Sequence, residues 1–264
     1  MLDRKVAERA FTDYTSEYDL DNTMIRLKAE HTIKVAQIAE RIAVSIGMKD
    51  DEIDFAWFLG LLHDIGRFEQ VRRYGTFSDA KSIDHAELGA DLLFRDGLLD
   101  NFIKGCEASE LSRWISGRWR EIAERAIRLH NKLALPEGLD DTMRTYCELL
   151  RDADKADIFR VLSEVPYEDR SAGFPKIEDR DGARDEIMEC VLAHKCVPRV
   201  SERTKFESLL SQCCMAFELV YPKTRDIVYE QGYLDRLLSS YDETGGIKAK
   251  QMQIVRREIV KSWG

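Results

Sequence analysis

The sequence predicts an all-α protein. Over most of its 264 residues, apolar side chains recur at steps of three and four, which is the period of one helix face. Only scattered segments show the alternation of period two that is typical of strands. Because 44% of the residues are apolar, the helices can pack around a core, and we expect no long disordered stretch.

The first strongly periodic segment predicts a helix at 27–46. Val35, Ile38 and Ile42 fall on one face of this helix and give it an apolar stripe. The same period predicts further helices along the rest of the chain. They lie at 85–96, 98–103, 114–132 with a break at Gly117, 141–162, 186–194, 205–220, 224–240 and 248–263.

The most apolar segment of the chain predicts a second helix at 52–64, running through FAWFLGLL. Asp50 or Asp51 can cap its beginning, and Gly66 offers a stop behind it. The segment that follows, 67–81, has no amphipathic period and is predicted to be a loop.

Residues 166–185 form the most marked break in the helical pattern, with two prolines, two glycines and many charges. We interpret the break as a loop or lid within a single domain that spans 1–264. The helices at 186–264 then pack on the preceding part of the chain. A separate C-terminal domain is the alternative.

The composition limits the class of partner. A net charge of −9 and a pI near 5.2 argue against a large nucleic-acid interface, but a small phosphorylated substrate needs only a few local cations. The longest apolar run, Phe55 to Leu62, is far too short for a membrane span. With charges near the N-terminus and no CxxC among six cysteines, we expect a cytoplasmic protein without a membrane partner.

Four of the five histidines and two aspartates form a spaced pattern that is typical of a metal site. They are His31, His63, Asp64, His85, His130 and Asp154. His31 extends the apolar stripe of its helix by one turn. Asp154 lies in the middle of the stripe that contains Cys147 and Ile158, and a buried carboxylate must meet a cation, a metal or several donors.

In their order, these residues resemble the HD superfamily of metal-dependent phosphohydrolases, whose motif runs from a histidine through a His-Asp pair to a distant aspartate. Asp154 stands between alanine and lysine, as the last aspartate of that motif does. The resemblance implies a compact HD-type helical domain with its core at about 25–165 and additional C-terminal helices at 186–264. His85 and His130 match the extra histidines of members that hold two metals.

The resemblance implies hydrolysis of a nucleotide or another small phosphoester, mono- or diester, by a metal-activated water. It also implies one or two divalent ions as cofactor, chosen among Mn, Fe, Zn, Mg, Ni and Co. Asp64 is then both a ligand and a catalytic residue, and Glu69 is a candidate general acid or base on position alone. His85 and His130 are either metal ligands or substrate contacts.

Three basic residues near the motif are candidate substrate contacts: Arg67, Arg73 and Lys155. Arg67 follows the His-Asp pair, where many HD proteins carry lysine or arginine, and guanidinium suits bidentate binding of phosphate. Lys155 adjoins Asp154. A purely solvated role is the alternative for each of them.

Two other functions fit the same residues. One is a non-catalytic sensor that binds a nucleotide or a metal, and the other is an oxygenase with two irons, as in a few relatives of HD proteins. The sequence lacks GxxxxGK[ST], GxGxxG, GxSxG and HExxH, and also the Gly-Tyr-Pro signature of HD enzymes that hydrolyse cyclic dinucleotides. The cluster of Cys190, His194 and Cys196 fits no common zinc module.

Overall fold

The structure, a computed structural model, describes residues 2–104, 117–165, 180–198 and 203–264. Within these ranges the regular structure is helical and includes no strand, so the all-α prediction is confirmed. The chain divides into two compact units, Met1–Asp154 and Lys155–Gly264. That 1–264 forms one domain stays a prediction.

Eight described α-helices begin in the first unit. They are α1 Arg4–Ser16, α2 Thr23–Ser45, α3 Asp50–Leu62, α4 Ile65–Tyr74, α5 His85–Phe94, α6 Leu99–Phe102, α7 Arg118–Leu129 and α8 Asp141–Glu164. A short 3-10 turn, Asp79–Lys81, lies between α4 and α5. The boundary between the two units falls inside α8.

Five described α-helices belong to the second unit. They are α9 Asp185–Leu192, α10 Lys205–Cys213, α11 Pro222–Gln231, α12 Tyr233–Leu238 and α13 Gly246–Trp263. Two 3-10 turns, Cys214–Glu218 and Asp242–Thr244, connect them. In the parts of the chain that the structure describes, no helix is long and apolar enough to cross a bilayer.

The core of the first unit is built on α2 and α3, whose backbones touch. Every residue from Phe55 to Leu62 is buried, so α3 is covered on all sides. At Gly60 a Cβ atom would stand 2.5 Å from Cα of Ala36, so only glycine permits this approach. The contact brings His31 of α2 and His63, just after α3, to a ring separation of 5.4 Å.

The predicted loop at 67–81 is wrong in its first half, because α4 covers Ile65–Tyr74. Its buried residues include Glu69 and Gln70, and an amphipathic period cannot be seen where the buried face is polar. Gly66 is not a stop either: it lies in the first turn of α4, where a Cβ would stand 2.2 Å from the carbonyl oxygen of His85. The helix ends instead at Gly75, whose φ is 64°.

Other boundaries also shift. The predicted helix at 224–240 is two helices, α11 and α12, separated by Gly232 with φ 68°. The predicted helix at 205–220 is α10 followed by a 3-10 turn. The N-cap of α3 is Lys49 rather than an aspartate. Parts of two predictions, residues 114–116 of a helix and 166–179 of the lid, lie outside the described residues.

Candidate metal centre

Helix ends place most of the predicted ligands. His63 and Asp64 lie at the junction of α3 and α4, His85 begins α5, and His130 follows the end of α7. His31 lies within α2 and Asp154 within α8. The four histidines and Asp64 are almost fully buried, and all six residues belong to the first unit.

One half of the cluster surrounds the Oδ2 atom of Asp64. Nε2 of His31 lies 3.7 Å from this oxygen and Nε2 of His63 lies 3.5 Å from it. Asp154 closes the group, with Oδ1 at 3.1 Å from Nε2 of His31 and 3.7 Å from Nε2 of His63. Two imidazoles and two carboxylates thus face one small space.

The other half surrounds the Oδ1 atom of the same aspartate. Nε2 of His85 lies 3.4 Å from Oδ1, and Nε2 of His130 lies 3.7 Å from it. These two Nε2 atoms are 3.0 Å apart. Asp64 therefore stands between two pairs of histidines, with one carboxylate oxygen turned to each pair.

The hydrogen bonds of the opposite ring nitrogens fix the tautomers. Nδ1–H of His63 donates to the carbonyl oxygen of Gly60 at 2.7 Å, and Nδ1–H of His130 donates to that of Ile127 at 2.7 Å. Because a carbonyl oxygen only accepts, each Nδ1 carries a hydrogen, and in the neutral imidazole each Nε2 then presents a lone pair.

His85 follows the same rule, because its Nδ1–H donates to the Asp79 carboxylate at 2.8 Å. The lone pairs of His85 and His130 therefore face each other at close range, which is repulsive unless a cation lies between them. Nε2 of His63 is buried without any hydrogen-bond partner. Both observations fit a divalent metal, for which neutral imidazoles and carboxylates are suitable ligands.

The protonation states suit a cation as well. Burial opposes the ionisation of Asp64, yet Lys28 and His63 hold its pKa well below the usual range. Burial also opposes the ionisation of Asp154, and the neighbouring imidazoles of His31 and His63 likewise keep its pKa well below that range. Burial and the charge of Arg67 lower the pKa of His85 to about 4, so this imidazole is neutral near neutral pH.

A family model described as HD domain matches residues 29–160, which is half of the chain and contains all six cluster residues. The chain belongs to the HD-domain family. The resemblance read from the motif is thereby confirmed, and most members of this family are metal-dependent phosphohydrolases. No curated protein and no solved structure matches the chain significantly.

Two residues beside the HD motif were not found from the sequence. Lys28, one turn before His31, places its Nζ atom 2.7 Å from Oδ2 of Asp64. Asp79, in the 3-10 turn, accepts hydrogen bonds from His85, Gln70 and Arg67. Neither carries a signal in the sequence, because a lysine on a helix and an aspartate in a turn are common surface residues. Asp84, which precedes His85, caps the beginning of α5.

Arg67 lies close to the HD motif but is held by several partners. Its guanidinium donates to Asp79 at 2.9 Å, to the carbonyl oxygen of Phe77 at 2.6 Å and to Gln70 at 2.9 Å. Its Nε atom lies 3.7 Å from Oδ1 of Asp64. The residue thus links the 3-10 turn to the metal-facing aspartate.

The structure does not bring the other predicted site residues into the HD cluster. Glu69 is buried and accepts a hydrogen bond from Tyr18, and Arg72 and Arg73 pair with its carboxylate. Lys155 belongs to the second unit, where it pairs with Glu218 at 3.1 Å. The functional roles predicted for Glu69, Arg73 and Lys155 stay predictions.

The described residues of the second unit contain no group of side chains arranged to hold a metal. His194, from the cluster with Cys190 and Cys196, makes a 3.1 Å contact with Glu258 and stacks on Phe217. Sγ of Cys196 donates to the carbonyl oxygen of Cys214 at 3.3 Å. Each of these side chains has a structural partner of its own.

Proposed function

We propose that this protein is a metal-dependent phosphohydrolase that acts on a nucleotide or another small phosphoester. The observation that supports it most directly is the position of Asp64, whose two oxygens face two separate pairs of histidine Nε2 atoms. This arrangement suits two divalent ions that share one bridging carboxylate. His31, His63 and Asp154 would hold one ion with Asp64, and His85 and His130 would hold the other.

Three of the four histidines are oriented before any ion binds. The Nδ1–H bonds of His63, His85 and His130 orient the rings and leave Nε2 free, so little reorganisation is needed. When bound, divalent ions lower the pKa of a nearby water and polarise a phosphoryl oxygen. Arg67, next to Asp64, adds fixed positive charge on one side of the site.

The proposed substrate is small. The net charge of −9 disfavours a long polyanion, whereas one phosphate can be neutralised inside a metal site. Nucleotides are the first candidates, followed by other small phosphoesters. Imidazole and carboxylate ligands accept several divalent ions, so the experiment below tests a series of them.

The first experiment combines metal analysis with a phosphate-release assay. The protein is purified anaerobically, its metal content is measured, and nucleotides and generic phosphoesters are tested with added Mn²⁺, Fe²⁺, Zn²⁺, Mg²⁺, Ni²⁺ and Co²⁺. We expect about two ions per chain and turnover of at least one phosphoester. Metal without turnover of any phosphoester would contradict the proposal and indicate a sensor, and oxygen consumption with iron would indicate an oxygenase.

Asp64→Asn is the variant that tests the site itself. It keeps the shape of the side chain but removes the charge that both histidine pairs face, so we expect bound metal to fall and hydrolysis to become undetectable. Asp96→Asn makes the same change at an exposed position and should leave both unchanged. Full hydrolysis by metal-depleted Asp64→Asn protein would refute a metal mechanism.

A further inference from the structure

The open side of the metal centre is marked by four partly exposed side chains. Lys28 is 16% exposed, Arg67 and Asp79 are 15% exposed and Asp154 is 14% exposed, whereas the side chains of Asp64 and the four histidines are at most 2% exposed. A substrate that enters from this side passes Lys28 and Arg67. Both cations also face the ring of Phe77, at 5.8 and 5.7 Å from its centroid.

Of these two cations, Lys28 is the less constrained. Nη1 of Arg67 is held by Asp79, Gln70 and the carbonyl oxygen of Phe77, which fixes the position of the guanidinium. The Lys28 ammonium carries three hydrogens and contacts Asp64 at 2.7 Å. Its long stem can reach different positions while its Cα stays fixed on α2.

The charge of the site explains why Lys28 contacts Asp64 here. The Lys28 ammonium contacts Asp64, one of the two carboxylates of the site, and the Arg67 guanidinium is paired with Asp79. In the metal-free protein, Lys28 therefore compensates the charge of Asp64. A divalent ion held by the histidines and Asp64 would add positive charge there, so the attraction of Lys28 for Asp64 would weaken and the site would favour an anion.

We propose that Lys28 binds a phosphoryl oxygen of the substrate and is released from Asp64 for this role when metal binds. The inference rests on the proposed function and adds to it the residue that recognises the phosphate. In this proposal, the Lys28 ammonium opposes metal binding and favours phosphate binding. Removing its charge must therefore raise the affinity for the metal and lower the affinity for phosphate.

Lys28→Met, which keeps the apolar stem and removes the charge, tests both affinities by calorimetry. We expect Mn²⁺ to bind the variant several-fold more tightly than it binds wild type. Inorganic phosphate should bind the Mn²⁺-loaded variant at least about tenfold more weakly, the scale of one charge-assisted hydrogen bond. Lys34→Met, at an exposed position of the same helix, should change neither affinity. A purely structural role would weaken both, and that result, or no change, would overturn the proposal.

A second measurement uses the unaltered protein and does not depend on how the variant folds. Lysine acetylation is followed by mass spectrometry without metal, with Mn²⁺, and with Mn²⁺ and phosphate, and Lys34 serves as the internal reference. Lys28 should be protected by Asp64 in the first case, react faster in the second and be protected again by phosphate in the third. Equal reactivity in all three states would overturn the proposal.

The two proposals fail in distinguishable ways. If wild type hydrolyses a phosphoester and Lys28→Met does so with an unchanged KM, the hydrolase stands and the role of Lys28 is wrong. If wild type binds phosphate through Lys28 but hydrolyses no phosphoester, the phosphate contact stands and the hydrolase is wrong.

Discussion

Asp79 accepts the Nδ1–H of His85 and thereby determines which nitrogen of that imidazole is free for a metal. Asp79→Asn keeps the size of the side chain but removes the charge that orients the ring and makes it more basic. We expect the affinity for the ion at His85 and His130 to fall about tenfold to a hundredfold. The affinity is measured by isothermal titration calorimetry, in which each protein is titrated with the metal.

The control for this variant is again Asp96→Asn, which changes an exposed aspartate. Circular dichroism should show the same helix content for both variants and the wild type. A metal titration of Asp79→Asn that superimposes on that of wild type would mean that His85 needs no orienting carboxylate.

At the same scale, the sequence predicted the six members of the cluster but not their neighbours. The spacing of His31, the His-Asp pair and Asp154 is a recognisable pattern, and the structure gathers these residues. Lys28 and Asp79 could not be predicted, because their roles arise from contacts across space. Lys28 meets an aspartate 36 residues away, and Asp79 reaches His85 only because a 3-10 turn precedes α5.

At the scale of elements, the sequence predicted most of the helices from their apolar faces but missed α1 and α4. The buried side of α4 carries the polar residues Glu69 and Gln70, whose partners lie both within α4 and in other segments. Gln70, for example, donates to the carbonyl oxygen of Ile83 at 2.9 Å. A pattern of hydrophobicity does not reveal buried polar residues of this kind.

The close contact of α4 with α5 gives a prediction about Gly66. An added Cβ would stand 2.2 Å from the carbonyl oxygen of His85 and 2.6 Å from the backbone nitrogen of Gly89, and backbone atoms cannot rotate away. Gly66→Ala should therefore lower the free energy of unfolding by about 2 kcal/mol, as overpacking of a core does. Because the helices that carry Asp64 and His85 must separate, metal affinity should fall as well.

Urea denaturation and a metal titration of Gly66→Ala measure both effects. Gly264→Ala adds the same methyl group at the chain end, where the nearest atom is 3.8 Å away, and serves as the control. If Gly66→Ala unfolds at the same urea concentration as the wild type, then the contact between α4 and α5 is looser than described.

At the scale of the whole molecule, metal binding and folding must be linked. The six cluster residues come from five separate segments of the first unit, since only His63 and Asp64 are neighbours in the sequence, so the site exists only when that unit is folded. An ion that binds the folded chain at a hundred times its Kd stabilises it by about 2.7 kcal/mol. We expect saturating Mn²⁺ to raise the unfolding temperature by several degrees, and Asp64→Asn to abolish the increase.

Calorimetry with and without Mn²⁺ also tests the prediction that 1–264 is a single domain. A single cooperative domain gives one transition, and the metal shifts the whole of it. If the two compact units unfold independently, there are two transitions. Mn²⁺ then raises the temperature of only the transition that belongs to Met1–Asp154. We expect the single transition, because the boundary between the units falls within the continuous helix α8, so that unfolding of either unit removes part of a helix shared by both.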